Sequence, residues 1–97
     1  MNEIQFEWDE KKAKSNLKKH GIAFSEAQSV FDDDAARLIP DPDHSEDEER
    51  FILLGISCSL KILVVVHCYR DKDSVIRLIS ARKATKSEEN QYKEFLS

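Results

Sequence analysis

The sequence predicts an α+β fold: an N-terminal strand, two helices, a three- to four-stranded antiparallel meander and a C-terminal helix, with the helices packed on one sheet face. Three observations predict it. Residues 51–81 hold apolar runs separated by short polar turns, as consecutive antiparallel strands do. Residues 9–21 carry a helix start, apolar residues at helical spacing and a glycine stop. Thr85 with Glu88 opens the last segment as a capping box. With 97 residues there is material for one modest core, so residues 1–97 form a single domain without repeat or linker.

Ile4, Phe6 and Trp8 alternate with polar residues and share one face of a first strand. Asp9 is a good N-cap, with Glu10 in the first turn of a helix that runs to His20. Ala13, Leu17 and His20 give it a narrow inward stripe, cations fill its last turn, and Gly21 stops it. Asn16 and His20 sit four apart and suit a local polar contact. Ser25 with Gln28 fits a capping box for a short second helix facing inward through Ala27, Val30 and Phe31. Asp32, Asp33 and Asp34 lack the alternation and glycine of a calcium loop, so they are expected in a solvated turn. Ala36 to Ile39 is a candidate short strand, and the segment from Pro40 to Glu49 is an acidic loop in which His44 is expected to be inert.

Phe51–Ile56 reads as a largely buried strand, and Leu60–Tyr69 gives the strongest strand signal in the chain. Its centre, Leu63 to Val66, is apolar on both faces, as a central strand requires. Arg70 to Asp73 makes a tight turn, Ser74–Ala81 returns, and the last helix carries Tyr92, Phe95 and Leu96.

Charged residues make up 35% of the chain and the net charge is −4, unevenly spread. Residues 1–50 hold 14 acids and 7 bases, whereas residues 51–97 hold 5 acids and 8 bases. The acidic total argues against direct duplex-DNA binding, while the split allows a basic face built from the C-terminal half. Cys58 and Cys68 lie in apolar runs without zinc spacing and are expected to be buried free thiols in a reducing compartment. No run approaches the roughly 18 apolar residues of a membrane span, and the acidic N-terminus does not resemble a signal peptide, so the expected location is the cytoplasm.

No Walker loop, dinucleotide-binding glycine pattern, zinc-protease helix or serine-hydrolase context is present. What remains is a set of cations, one central-strand histidine and tyrosines: Arg50, His67, Tyr69, Arg77, Arg82, Lys83 and Tyr92. Arginine binds phosphate bidentately, and histidine moves protons near neutral pH. Metal-free RNA cleavage needs little more. The plain alternative is structural: arginines paired with acids and a histidine satisfied within the sheet. A two-residue turn at Asp71-Lys72 puts His67 on the face of Arg82, whereas a bulge or odd-length turn puts it beside Arg77.

Phe6-Glu7-Trp8-Asp9 with Lys11, Asn16, Lys19-His20-Gly21, Phe24, Ala27 and Phe31 resembles the opening of the BrnT family of type II toxins. Arg50, Gly55, Leu63-Val64-Val65-Val66, Arg77-Leu78-Ile79-Ser80-Ala81-Arg82-Lys83-Ala84, Glu88 and Tyr92 resemble its remainder. The resemblance implies a RelE-like fold and a metal-free, cofactor-free ribonuclease that arrests growth. It also implies a ribbon-helix-helix antitoxin, through which alone DNA is contacted in a hetero-oligomer. The expected site has Arg77 and Arg82 on the scissile phosphate, His67 as proton-transfer group and Arg50 as a further phosphate contact. Lys83 and Tyr92 complete it as substrate-binding residues. The second reading is a non-enzymatic module that docks the antitoxin.

Overall fold

A computed structural model describes residues 4–42 and 49–96. Leu63, Val65 and Leu78 are fully buried at its centre, and each such side chain stabilises the fold by roughly 1.5–3 kcal/mol. They lie on one face of a five-stranded sheet. Its strands are β1 (Gln5–Glu7), β2 (Arg37–Pro40), β3 (Phe51–Ile56), β4 (Ile62–Arg70) and β5 (Val75–Lys83), in the spatial order β1-β5-β4-β3-β2. Strands β2 to β5 form the antiparallel meander. Strand β1 is the expected N-terminal strand, but it joins the meander in parallel at β5, pairing Glu7 with Arg77, a partner the sequence did not indicate. Pairing between residues seventy positions apart leaves no local signal.

Helix α1 (Glu10–His20) starts at Asp9, whose carboxylate accepts from the Lys11 and Lys12 amides at 2.8 and 3.2 Å. It ends at Gly21, in the left-handed region at φ 72°, where the Gly21 N–H donates to the Leu17 carbonyl. Leu17 is half exposed rather than inward, and the one buried residue of α1 is Asn16. Helix α2 (Phe24–Ser29) begins earlier than a Ser25 cap would allow: Ala23 is its N-cap, with no side-chain bond. The early start buries Phe24 as well as Ala27. A 3-10 turn at Val30–Asp32 follows and buries Val30.

The helices do not share one sheet face. Helices α1 and α2 and the 3-10 turn cover the face formed by Leu53, Leu63, Val65, Ile76, Leu78 and Ala81. Helix α3 (Lys86–Leu96) crosses to the other face, where Tyr92 packs on Leu54 and Val64. This face change follows from strand alternation: Leu53 and Leu54, or Val64 and Val65, point oppositely. The α3 start is the expected capping box, with the Thr85 amide donating to Glu88 and the Glu88 amide to Thr85 Oγ1.

The β4–β5 hairpin departs from the two-residue turn. Arg70 pairs with Val75, not Asp73, around a four-residue loop with positive φ at Asp71, Lys72 and Asp73. Further along, Val66 pairs with Ser80 and His67 with Leu78, leaving Ile79 as a bulge in β5. Leu60, expected in β4, is instead exposed in the preceding turn at φ 62°. His44 and most of the acidic loop lie outside the described residues. Cys68 is buried and Cys58 exposed, not buried; neither is bonded to another cysteine. No helix among the described residues is long and apolar enough to cross a membrane.

Candidate active surface

The sheet face opposite α1 and α2 is covered by α3 at one end only. Strand alternation sends Arg37, Arg70, Arg77 and Arg82 onto this face. The bulge at Ile79 is what makes Arg77 and Arg82, five positions apart, point the same way. Arg50, just before β3, continues the parity of Ile52 and Leu54, and its backbone carbonyl accepts from the Asp41 amide at 3.0 Å. Its Nε is buried and has no hydrogen-bond partner among the described residues.

Three of these arginines meet carboxylates, and two of them each hydrogen-bond to one. Arg77 Nη1 donates to Glu7 Oε2 at 2.7 Å, and Arg70 Nε lies 3.9 Å from the same oxygen. Arg82 binds both oxygens of Glu88, at 2.8 and 3.0 Å. These hydrogen bonds raise the affinity of both guanidinium groups for their proton, so both stay charged. The Arg82 fork in turn pulls the Glu88 carboxyl down to about 2. A carboxylate gripped by a guanidinium fork occupies the position that a phosphate takes in the same geometry. Arg37 stacks over the Phe95 ring at 4.1 Å. Lys83 is exposed at the far end of β5, beside the α3 start.

His67 is not on this face. Its partner Leu78 belongs to the helix-covered side, and its exposure is 0%. Phe31 stands edge-on to it at 4.9 Å, with Phe51 and Tyr69 on other sides. Nδ1 faces the Val65 carbonyl at 3.3 Å, which assigns the proton to Nδ1 and leaves Nε2 to accept from the Tyr69 hydroxyl, also at 3.3 Å. Burial pushes the imidazole below its ordinary value, although the Val65 bond works the other way, so it is neutral at pH 7. Neither arginine that the hairpin register was expected to place beside His67 lies on its face: the four-residue loop excludes Arg77, and the bulge excludes Arg82.

Tyr92 is also buried. It is 4% exposed, and its hydroxyl donates to Asp33 Oδ2 at 2.6 Å. Burial, followed by the Asp33 bond and charge, pushes it up to about 12. Asp33 is a structural acceptor rather than part of a solvated turn: the Ile56 and Ala35 amides donate to it at 2.9 Å each. Burial opposes ionisation of this carboxyl, but the three donors prevail and hold it below its usual range. Among the described residues no three His, Cys, Asp or Glu side chains gather as a metal site.

Sequence reasoning missed Glu7, Arg70 and Arg37. The two arginines share strand parity with face residues, a signal available in principle. Glu7 had none, because β1–β5 pairing alone brings it to Arg77.

A mixed five-stranded sheet with two helices on one side and a third partly covering an arginine-bearing second side places the chain in the α+β class. The comparisons with known proteins are more specific. The model of a family described as the ribonuclease toxin, BrnT, of type II toxin–antitoxin systems matches residues 8–88. The crystal structure of the Brucella abortus ribonuclease toxin BrnT superposes with a TM-score of 0.66 at 25% identity, covering 86% of this chain and 99% of that one. A search of curated proteins finds no significant match. The chain belongs to the BrnT family of ribonuclease toxins of type II toxin–antitoxin systems.

Proposed function

We propose that this chain is an active endoribonuclease that cuts RNA without a metal, arrests growth, and is neutralised by a cognate ribbon-helix-helix antitoxin that alone contacts DNA. The observation that carries the reading is the Glu7–Arg77 pair on the open sheet face, a carboxylate and a guanidinium in contact at 2.7 Å. Arg77 holds the scissile phosphate in exchange for Glu7, its fork matching the two non-bridging oxygens of the phosphodiester. The released Glu7 carboxylate takes the proton of the adjacent 2′-hydroxyl. The 2′-oxygen bonds to phosphorus, the bond to the 5′-oxygen breaks, and that oxygen takes a proton from a water molecule, whose hydroxide is neutralised by the proton that Glu7 took up. The products are a 2′,3′-cyclic phosphate and a 5′-hydroxyl end. Arg77 stabilises the charge that builds on the phosphoryl oxygens. Arg50 and Arg82 contact neighbouring phosphates, Arg82 by exchanging Glu88 for one, and Lys83 meets RNA at the exposed end of β5, on the opposite parity to Arg82. His67 and Tyr92 support the sheet from within.

The test is cleavage of a defined RNA by antitoxin-free protein with and without EDTA, alone and with ribosomes, alongside growth on induction. Arg77→Ala is expected to lower cleavage by about a hundredfold or more and to relieve growth arrest, and Glu7→Gln to lower cleavage with the fold intact. Full toxicity in folded Arg77→Ala and Glu7→Gln variants overturns this site; cleavage abolished by EDTA overturns the metal-free chemistry.

A second reading has its own support: the arginines already hold internal carboxylates, as a surface built to receive an acidic protein segment would. In that case the face docks the antitoxin without cutting RNA. No cleavage under any of these conditions, with tight antitoxin binding retained, is its expected result.

A further inference from the structure

A pocket of about 650 Å³ opens at the hairpin end of the sheet, apart from the Glu7–Arg77 pair but next to it. Its described lining includes Leu38, Glu49, Phe51, Tyr69, Arg70 and Asp73. Phe51 and Tyr69 meet edge to face at 5.4 Å, and both are only partly buried. Both rings pack inward around His67 from the helix-covered face, and their outer edges reach the pocket beside carboxylates and a guanidinium. They supply a stacking surface flanked by hydrogen-bonding groups of both polarities.

We propose that this pocket binds a guanine base of the RNA, stacked on one of the two rings and met by the edge of the other, read by Asp73 and Glu49 on its N1–H/N2–H₂ edge and by Arg70 on its O6/N7 edge. The proposal rests on the RNA-cutting reading for its biological sense but not for its physics. Bases in single strands are recognised by stacking on aromatic faces and by hydrogen bonds to their exposed edges. Guanine alone among the four bases presents two adjacent donors for a carboxylate together with two acceptors for a guanidinium. Adenine offers an acceptor at N1, which faces a carboxylate unfavourably. Cytosine and uracil lack the N7 acceptor and present a smaller stacking surface. The Tyr69 hydroxyl is held above its ordinary value by burial and then by the Asp73 charge, which places that carboxylate near the ring. Arg70 reaches toward Glu7 on its other side, so the pocket and the cleavage pair adjoin through one side chain.

Calorimetric titration of the purified full chain with 5′-GMP, 5′-IMP and 5′-AMP tests this without requiring cleavage. GMP is expected to bind at least tenfold more tightly than AMP, with IMP, which lacks the N2 amine, between them. Asp73→Asn is the informative variant because asparagine tolerates the left-handed backbone at φ 69°, so the hairpin survives. It is expected to bring GMP and AMP within about threefold of each other while leaving the unfolding temperature unchanged. Equal binding of GMP and AMP by the wild type, or unchanged selectivity in Asp73→Asn, overturns the pocket. A chain that cuts RNA without preferring GMP retains its ribonuclease function and loses this pocket. One that selects GMP but cuts no RNA supports the pocket and sinks the cleavage reading.

Discussion

Glu88 joins two tasks in one carboxylate: it completes the cap of α3 and accepts the Arg82 fork. Its carboxyl is held at about 2, below the ordinary 4.5. Its stabilising contribution is therefore complete above about pH 4.5 and disappears as pH falls through about 2. Both partners are partly solvated, so Glu88→Gln is expected to cost on the order of 1 kcal/mol at pH 7. Thermal unfolding of the variant and wild type should differ at pH 7 and converge near pH 2. Tyr92→Phe keeps the ring against Leu54 and Val64 but removes a donor from Asp33. It is expected to destabilise by about 1–2 kcal/mol, read from urea unfolding, with wild-type toxicity retained. Tyr92 also shows how far sequence reached at this scale. Its place on the last helix was legible, but its hydroxyl partner lies 59 residues away, so a buried tie and a base-stacking group looked alike. His67 was recognised as a sheet histidine for the same reason that its surroundings were not: Phe31 comes from a distant turn.

At the scale of elements, two residues hold strands and helices together. The Asn16 amide donates to the Ile22 and Ala81 carbonyls at 2.9 Å each, while its oxygen accepts from the Ala81 amide at 3.0 Å. Strand β1 has ended by this point, so Asn16 takes over its edge pairing of β5. The polar contact is long-range and not the local one with His20 that spacing suggested. Asn16→Ala strands buried backbone groups and is expected to cost at least about 2 kcal/mol in chemical unfolding. Gly55 lies where β3 passes under the 3-10 turn. A Cβ there would sit 2.8 Å from Ala36 Cβ and 2.9 Å from both Asp33 Oδ2 and Val30 Cγ1. The backbone and a packed turn cannot both yield, so Gly55→Ala is expected to lower stability by about 1–3 kcal/mol in the same measurement. Element types and most boundaries were readable from caps and periodicity. The hairpin register was not, because a four-residue loop and a two-residue turn differ by which residues accept positive φ, and here Asp71, Lys72 and Asp73 all do.

On the scale of the whole molecule, an acidic protein presents a basic sheet face. The net charge is −4, yet five arginines share the parity of that face. Local field rather than total charge governs binding to a polyanion. If Arg50, Arg77 and Arg82 each neutralise one phosphate, affinity for single-stranded RNA should fall with salt at a log–log slope of about −2, from roughly −0.7 per phosphate. Arg77→Ala should make the slope shallower by about 0.7, measured by filter binding between 50 and 200 mM salt. A salt-independent affinity would remove the phosphate track.

Composition, caps and apolar periodicity determined the α+β class, the helices, the strong central strands and the presence of a basic cluster at the end of β5. These depend on interactions within a few residues, and sequence records them directly. Tertiary structure alone decided the parallel docking of β1, the crossing of α3 to the second face and the bulge at Ile79. Together those three choices put Glu7 beside Arg77, bring Arg82 onto the same face and enclose His67 on the other. Each is a long-range choice among registers of similar local energy, settled by which arrangement buries Phe31, Leu78 and Tyr92 together with their polar partners.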